Sequence, residues 1–336
     1  LDHVGQGGRR DARDAARLWT QLAPYDKEAG AAELALAAAN GQTRGMAQAL
    51  RQRIDEADDK PAAIGQAMSV LGRLNDRRLA LRILDESLSD PVRKLPVASL
   101  ALSDAAHAAG DDARALAEAR AALAADPKSE PAAQRVLEYG SRIDRDAAEA
   151  QAREFLGRNP NARRLHLMLI GQMADRGDYD GAQAELEAMS RRSPEDFDLL
   201  FIRGQLAYQT HHLEQARDLV GQYLEVQEQR QRSTAPGATN AVAAAADAHA
   251  LLARIAEDQG RYDDAVAELG RIQDPSMRYN AQLRQAALRA RQGRVDLALA
   301  VIDAANPQDE DQRVQGYLVR SQILRDADRL DEAIAT

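Results

Sequence analysis

The chain has 336 residues and a formal net charge of −9, and it contains no cysteine. The lack of cysteine excludes disulfides, a thiolate nucleophile and a cysteine-type zinc site. Arg, Asp and Glu are interspersed along the chain, without the basic stripe that nucleic-acid binding requires. No apolar run reaches the roughly 20 residues of a membrane-spanning helix.

Helix is the predicted conformation almost throughout. Alanine is abundant, aromatic residues make up only 4% of the chain, and strand-favouring runs of Val, Ile, Thr and Tyr are missing. Alanine is the best helix former, whereas strands favour β-branched and aromatic residues. The composition therefore predicts an all-α protein.

A repeating pattern of small residues begins at the amino terminus and continues to the last residues. A turn residue, often Gly, stands five positions before an Ala, and a Pro often follows that Ala by twelve, as in Gly110, Ala115 and Pro127. Successive marker alanines lie 33 to 35 residues apart, with one gap of 49. These markers are Ala12, Ala47, Ala80, Ala115, Ala148, Ala182, Ala216, Ala265, Ala298 and Ala333.

The spacing resembles that of the tetratricopeptide repeat, in which two antiparallel helices, A and B, form a unit of about 34 residues. The Gly would end helix A, the Ala would let helix B approach it closely, and the Pro would stop helix B. A small residue is also expected on helix A twelve positions before each marker. Met68, Val136 and Ile170 break that rule, so we expect wider helix separation in their repeats.

The resemblance implies a right-handed superhelical solenoid. We expect residues 1–336 to form a single array of about nine to ten repeats, with the first and last incomplete. Because the chain starts without Met and stops within a predicted helix, we expect a fragment of a longer protein.

The gap of 49 residues indicates an insertion at residues 228–246. Its polar residues are followed by Thr234, Ala235, Pro236 and Gly237, which predicts an exposed loop or a helix extension broken at the Pro. Two interpretations remain open for this segment. It is either a tolerated surface insertion or a protruding contact for a partner.

The sequence shows no constellation typical of an enzyme. The six histidines form no His-Glu-x-x-His motif, and His211 and His212 fall at a turn between helices A and B. Asp178 is expected to cap a helix. We therefore expect no catalytic residues, no metal and no cofactor.

By resemblance to other tetratricopeptide proteins, repeat positions 2, 5, 9 and 12 of helix A face the concave groove that binds a protein or peptide partner. These positions contain the aromatic pair Phe201 and Tyr208, for which groove exposure and packing within the array are both open interpretations. Arginines there could hold a carboxylate of the partner. The candidate groove residues are Asp104, His107, Arg164, Leu167, Phe201, Gln205, Tyr208 and Arg254.

Two segments carry a narrower resemblance, Leu200–Gln209 and Ala250–Ala265, followed by Tyr279 and the Arg-rich stretch Arg289–Arg294. They resemble the large tetratricopeptide lipoproteins of proteobacteria, which are anchored to the outer membrane and face the periplasm. That family includes an adaptor of a carboxyl-terminal processing protease that acts on cell-wall hydrolases.

The narrower resemblance implies a periplasmic adaptor that brings a protease and its substrates together. It would contact the membrane only through a lipid anchor, which is missing from this sequence. The alternative is a cytoplasmic scaffold or a regulatory domain that senses a peptide. Neither alternative involves nucleic acid.

Overall fold

The computed structural model describes residues 27–41, 43–233 and 239–336. These residues form nineteen helices and no strand. The all-α prediction is thus confirmed for the part of the chain that the structure describes. The chain divides into two compact units, residues 1–172 and 173–336.

Ten helices begin in the first unit, and the last of them continues past residue 172. The helices are α1 (Lys27–Ala39), α2 (Met46–Glu56), α3 (Lys60–Leu71), α4 (Arg77–Ser87), α5 (Asp90–Arg93), α6 (Pro96–Ala108), α7 (Asp112–Ala125), α8 (Glu130–Gly140), α9 (Arg145–Arg158) and α10 (Arg163–Asp175).

The second unit holds the other nine helices. They are α11 (Tyr179–Arg192), α12 (Asp198–Gln209), α13 (Leu213–Ser233), α14 (Thr239–Asp258), α15 (Tyr262–Gly270), α16 (Pro275–Arg291), α17 (Val295–Ala304), α18 (Glu310–Asp326) and α19 (Leu330–Ala335). Within each unit a helix packs mainly against the next one or two helices of the chain. Such neighbour-only packing is the arrangement of a helical repeat solenoid.

The marker alanines lie on the second helix of each hairpin, as the repeat predicts. Seven of them are buried: Ala80, Ala115, Ala148, Ala182, Ala216, Ala265 and Ala298. Ala47 and Ala333 are partly buried against the neighbouring core residues. Ala12 lies outside the described residues, as does the first, incomplete repeat. Helix A is therefore α1, α3, α6, α8, α10, α12, α14, α16 or α18.

Six of the turns between helices A and B share one geometry. The residue five positions before the marker has a positive φ, and the next N–H donates to the carbonyl five residues back, as from Asp111 to Ala106 at 2.9 Å. Glycine adopts this conformation at no steric cost, and Gly110 and Gly177 do so here. His211 (φ 59°) and Asp328 (φ 57°) occupy the same position in two other turns. The histidine pair thus belongs to a turn, as predicted.

Helices A and B approach closely where helix A carries a small residue. Ser103 is buried, and its hydroxyl donates to the carbonyl of the marker Ala115 at 2.7 Å. A Cβ atom placed on Gly204 would lie 2.6 Å from Cγ2 of Val220 and 3.4 Å from the carbonyl oxygen of the marker Ala216. The small-residue rule therefore describes real helix contacts.

The expected wider separation is wrong for the repeat that contains Val136. A Cβ atom on Gly140, one helical turn later, would lie only 2.9 Å from the Cβ of the marker Ala148. The close contact of α8 with α9 is displaced by one turn, because residues four apart lie on the same helix face. The pattern also did not predict α5, a short helix between two repeats that buries Val92.

Candidate protein-binding site

The helix A face of the first unit contains an open groove between α1 and α3. Its volume is about 490 Å³. Four of its lining residues, Ala32, Ala62, Gly65 and Ser69, are at the repeat positions expected to face a partner. The groove is lined by Ala32, Ala35, Ala62, Gly65, Gln66, Ser69, Val70 and Arg73.

Local sequence explains how α3 forms one wall of this groove. Asp59 caps the helix by accepting from the N–H of Ala62 at 2.9 Å, and Pro61 lies in the first turn, where its missing N–H costs nothing. Ile64 and Val70 are buried in the core beneath α3. Ala62, Gly65 and Ser69 have small side chains or none. Because little side-chain volume projects from the exposed face of α3, the groove stays open.

Among the candidate residues, Asp104 and His107 of α6 both contact Tyr139 of α8. Arg135 donates to the Asp104 carboxylate with two nitrogens, at 2.6 and 2.7 Å. The Tyr139 hydroxyl donates to the same carboxylate at 2.8 Å. The His107 ring stacks on Tyr139 with centroids 4.5 Å apart, and its Nδ1 lies 2.9 Å from Asp112 Oδ1. These groups therefore connect two successive repeats.

The electrostatics of this cluster follow from its burial and its charges. Burial, followed by the hydrogen bond to the Asp104 carboxylate, raises the pKa of Tyr139 far above its usual range. The hydrogen bond from Arg135 to Asp104 raises the pKa of the Arg135 guanidinium. Asp104 and Arg135 are held as an ion pair, which is a structural role that the sequence did not assign to Asp104.

The two candidates on α10 differ in exposure. Arg164 is exposed and Leu167 is partly buried. Glu130, from the preceding repeat, accepts from the backbone N–H of Leu165 at 2.9 Å and so satisfies an unpaired donor in the first turn of α10. Arg164 and Leu167 thus remain predicted groove residues.

In the second unit, the Phe201 side chain packs within the array. Its ring lies 5.2 Å from that of Tyr223, with an angle of 30° between the planes. Phe201 is partly buried against the core residues of α12, α13 and α14, which include Val220 and Leu251. Phe201 thus packs within the array while part of its ring stays exposed, and its role in the groove remains a prediction.

Tyr208 and Arg254 are brought together on α12 and α14. The guanidinium carbon of Arg254 lies 5.1 Å from the centroid of the Tyr208 ring. The Tyr208 hydroxyl donates to Asp258 at 2.7 Å. Burial, followed by this hydrogen bond, raises the pKa of Tyr208. Gln205 lies one turn before Tyr208 on α12 and is exposed.

Two arginines that the sequence reasoning missed, Arg284 and Arg291, extend this surface from α14 to α16. Glu257 accepts from Arg284 at 2.7 Å and from Arg291 at 3.1 Å. The Arg291 guanidinium carbon also lies 5.4 Å from the Tyr262 ring centroid. Each arginine lies one residue beyond a predicted groove position of α16. Repeat positions 2, 5, 9 and 12 therefore did not include them. This surface is largely occupied by its own ion pairs.

The insertion at residues 228–246 is helical at both ends. α13 continues to Ser233 and α14 begins at Thr239, whereas residues 234–238 lie outside the described residues. The described part of the insertion thus extends α13 and α14, and Pro236, where a break was predicted, lies outside the described residues. Arg230 lies over the Phe197 ring at 5.7 Å and 3.5 Å from Asp198, so the extension of α13 contacts the start of α12.

Two other kinds of site are absent from the part of the chain that the structure describes. Among residues 27–41, 43–233 and 239–336, no three His, Asp or Glu side chains are arranged to hold a metal ion. No helix in that part of the chain has the length and apolar character needed to cross a membrane. Asp178 caps α11, as predicted, by accepting from the N–H of Gly181 at 3.1 Å.

Comparison with known proteins gives a consistent result. A family model described as the tetratricopeptide repeat matches residues 69–130 and 174–236. No curated protein sequence matches the chain significantly.

Solved structures were also compared. The C-terminal part of a TPR repeat-containing protein from Cytophaga hutchinsonii is 13% identical, with a TM-score of 0.50 over 75% of this chain and 98% of that one. The Cut9–Hcn1 hetero-tetramer of the APC/C is 16% identical, with a TM-score of 0.43 over 94% of this chain. The match spans 59% of the length of that Cut9–Hcn1 chain. PilW, a type IV pilus biogenesis factor, is 20% identical, with a TM-score of 0.44 over 65% of this chain and 94% of PilW.

The family match agrees with the hairpins seen in the structure. Residues 69–130 run from the end of α3 to the start of α8, and residues 174–236 begin at the end of α10 and include α11, α12 and α13. Both segments contain buried marker alanines, namely Ala80, Ala115, Ala182 and Ala216. These two segments thus carry tetratricopeptide repeats, and the other described hairpins share their helical repeat fold.

Proposed function

We propose that this chain is a non-catalytic scaffold that binds segments of partner proteins on its helix A faces. The observation that carries the proposal is the open groove of about 490 Å³ between α1 and α3. Concave surfaces of this size, with a few polar groups among apolar ones, are typical of binding sites. Helical repeats commonly use such a surface to bind proteins.

A peptide-display selection tests this function. A library of random dodecapeptides would be selected against the immobilised full chain, and synthetic peptides would then be titrated by fluorescence anisotropy. We expect saturable binding of peptides that share a sequence pattern. If no selected peptide binds above the level of an unrelated helical protein, the scaffold function is wrong.

We further propose that the full-length protein is a periplasmic adaptor, anchored to the outer membrane, that delivers substrates to a carboxyl-terminal processing protease. The segments Leu200–Gln209 and Ala250–Ala265 support this role through their resemblance to proteobacterial tetratricopeptide lipoproteins. The test is the rate at which the processing protease of the same organism degrades a cell-wall hydrolase. The chain should increase that rate, and an unchanged rate would contradict the adaptor role.

Localisation has a separate test. Fractionation of cells that express the full-length protein should place it in the outer membrane, and replacement of a lipidated cysteine should release it. Recovery in the cytoplasm would favour the alternative of a cytoplasmic scaffold.

A further inference from the structure

We infer that the groove between α1 and α3 binds an apolar partner segment with small side chains and one acidic group, which pairs with Arg73. This inference rests on the proposed scaffold function and specifies the partner's chemistry. It is carried by three features of the groove: an unexplained glycine, polar groups on an apolar wall, and a single charge.

The glycine is Gly65, in the middle of α3. Glycine within a helix destabilises it relative to alanine, so a helical glycine usually has a packing reason. Gly204 has such a reason, because a Cβ atom there would clash with Val220. A Cβ atom on Gly65 would have no described atom within 4 Å. Gly65 faces the groove, where the missing side chain lets a ligand backbone approach α3 closely.

The walls favour a peptide with small side chains. Ala32 and Ala35 on α1 stand across from Ala62 and Gly65 on α3, and these residues offer apolar surface without deep side-chain pockets. Gln66 and Ser69 are exposed on the same wall. Their amide and hydroxyl groups can donate to and accept from a peptide backbone. An acyl chain would leave those polar groups without partners.

The charge comes from Arg73, the only ionisable residue among the eight that line the groove. Arg73 is exposed and lies just beyond the end of α3. Its neighbour Arg77 is engaged with the carbonyl of Gly72 at 2.8 Å. Among the described residues, no carboxylate contacts Arg73. A guanidinium pairs best with a carboxylate, so the occupant should carry an Asp, a Glu or a terminal carboxylate at this end of the groove.

The experiment measures how the selected dodecapeptides bind to variants of the full chain. Gly65→Leu should fill the groove and weaken peptide binding at least about tenfold, because the peptide backbone could no longer approach α3 closely. The matched control is Gly157→Leu in α9, where the glycine is also exposed and also has no described atom within 4 Å of a Cβ position. This control should bind as the wild type does, and circular dichroism melting should show that both variants are folded.

Arg73→Ala tests the charge. It should weaken binding of acidic peptides several-fold, and a Glu→Gln change in the peptide should weaken binding to the wild type but not to Arg73→Ala. Peptides that bind equally to Gly65→Leu and to the wild type would overturn this inference while leaving the scaffold function intact. Failure to select any peptide would overturn both. Binding of dodecanoate in the groove, blocked by Gly65→Leu when peptides are not, would also overturn it in favour of an acyl ligand.

Discussion

The same four repeat positions differ sharply between α3 in the first unit and α12 in the second. In α3 they carry Ala62, Gly65, Ser69 and Gly72, and in α12 they carry Asp198, Phe201, Gln205 and Tyr208. The face of α3 borders an open groove. On α12, Phe201 packs on Tyr223, and Tyr208 contacts both Arg254 and Asp258.

The difference teaches that the repeat backbone does not by itself make a binding groove. Both helices belong to hairpins with a buried marker alanine, Ala80 in one and Ala216 in the other. The volume of the side chains at these four repeat positions decides whether the face of helix A stays open or is filled by the protein itself. Large aromatic residues gain more free energy from burial than from exposure, so they pack inward.

The glycines provide the strongest test of this comparison. Gly204→Leu should destabilise the second unit by about 3 kcal/mol, because its side chain would overlap Val220. Gly65→Leu should leave stability unchanged or higher, because the position is open. Thermal melting followed by circular dichroism measures both. Equal melting temperatures for the two variants would show that the two helices do not differ in packing.

Phe201 and Tyr208 sharpen the contrast within α12. Phe201→Ala should cost about 2 kcal/mol of stability, since it removes a partly buried ring from the core. Tyr208→Phe should cost under about 1 kcal/mol, because it removes one exposed hydrogen bond to Asp258. Urea denaturation of each variant gives these values. A larger loss for Tyr208→Phe would contradict the assignment of Phe201 to the core.

Asp104→Ala tests whether a charged side chain at one of these repeat positions also stabilises the first unit. The change leaves Arg135 without its carboxylate partner and removes the acceptor of Tyr139. Because the pair is about one-third exposed, solvent screening should limit the loss to about 1.5 kcal/mol. The surface control Arg191→Ala should be nearly neutral in the same denaturation experiment. A neutral Asp104→Ala would assign this residue to partner binding alone.

Gly65→Ala should have a small effect in the opposite direction. Alanine reduces the conformational freedom of the unfolded chain and favours helix, and the added methyl group meets no described atom. We expect a gain of about 0.5 to 1 kcal/mol, measured as a higher melting temperature. A loss of stability would mean that α3 is packed more closely than the groove implies.

Tyr139 predicts a dependence on alkaline pH. Its pKa is raised above the ordinary value of 10.0 by burial and by Asp104. A folded-state pKa above that of the unfolded chain means that this contribution to stability is complete below pH 10 and is lost as the pH rises through the folded pKa. The tyrosinate absorbance of the wild type, compared with Tyr139→Phe, follows the ionisation. Asp104→Asn should move it to lower pH, and an unshifted titration would contradict the hydrogen bond.

Sequence periodicity was sufficient to predict the paired helices A and B and their order, though not the short α5, and it located the seven buried marker alanines. These features depend on contacts between residues near in sequence, so a period of about 34 residues carries them. Even the turn at His211 could be located without a glycine, because the register placed it five residues before Ala216.

Only the tertiary structure decided how the side chains of neighbouring repeats are used. Asp104 was predicted to face a partner, and only the structure shows that it also pairs with Arg135, 31 residues away. Phe201 could not be assigned until its ring was seen against Tyr223. The groove at Gly65 was not predicted from the sequence, because aromatic residues and arginine indicate binding sites there, whereas an open groove requires small residues. The pattern of residues along one helix specifies its faces, but what covers each face depends on the volume and charge of side chains that another helix supplies.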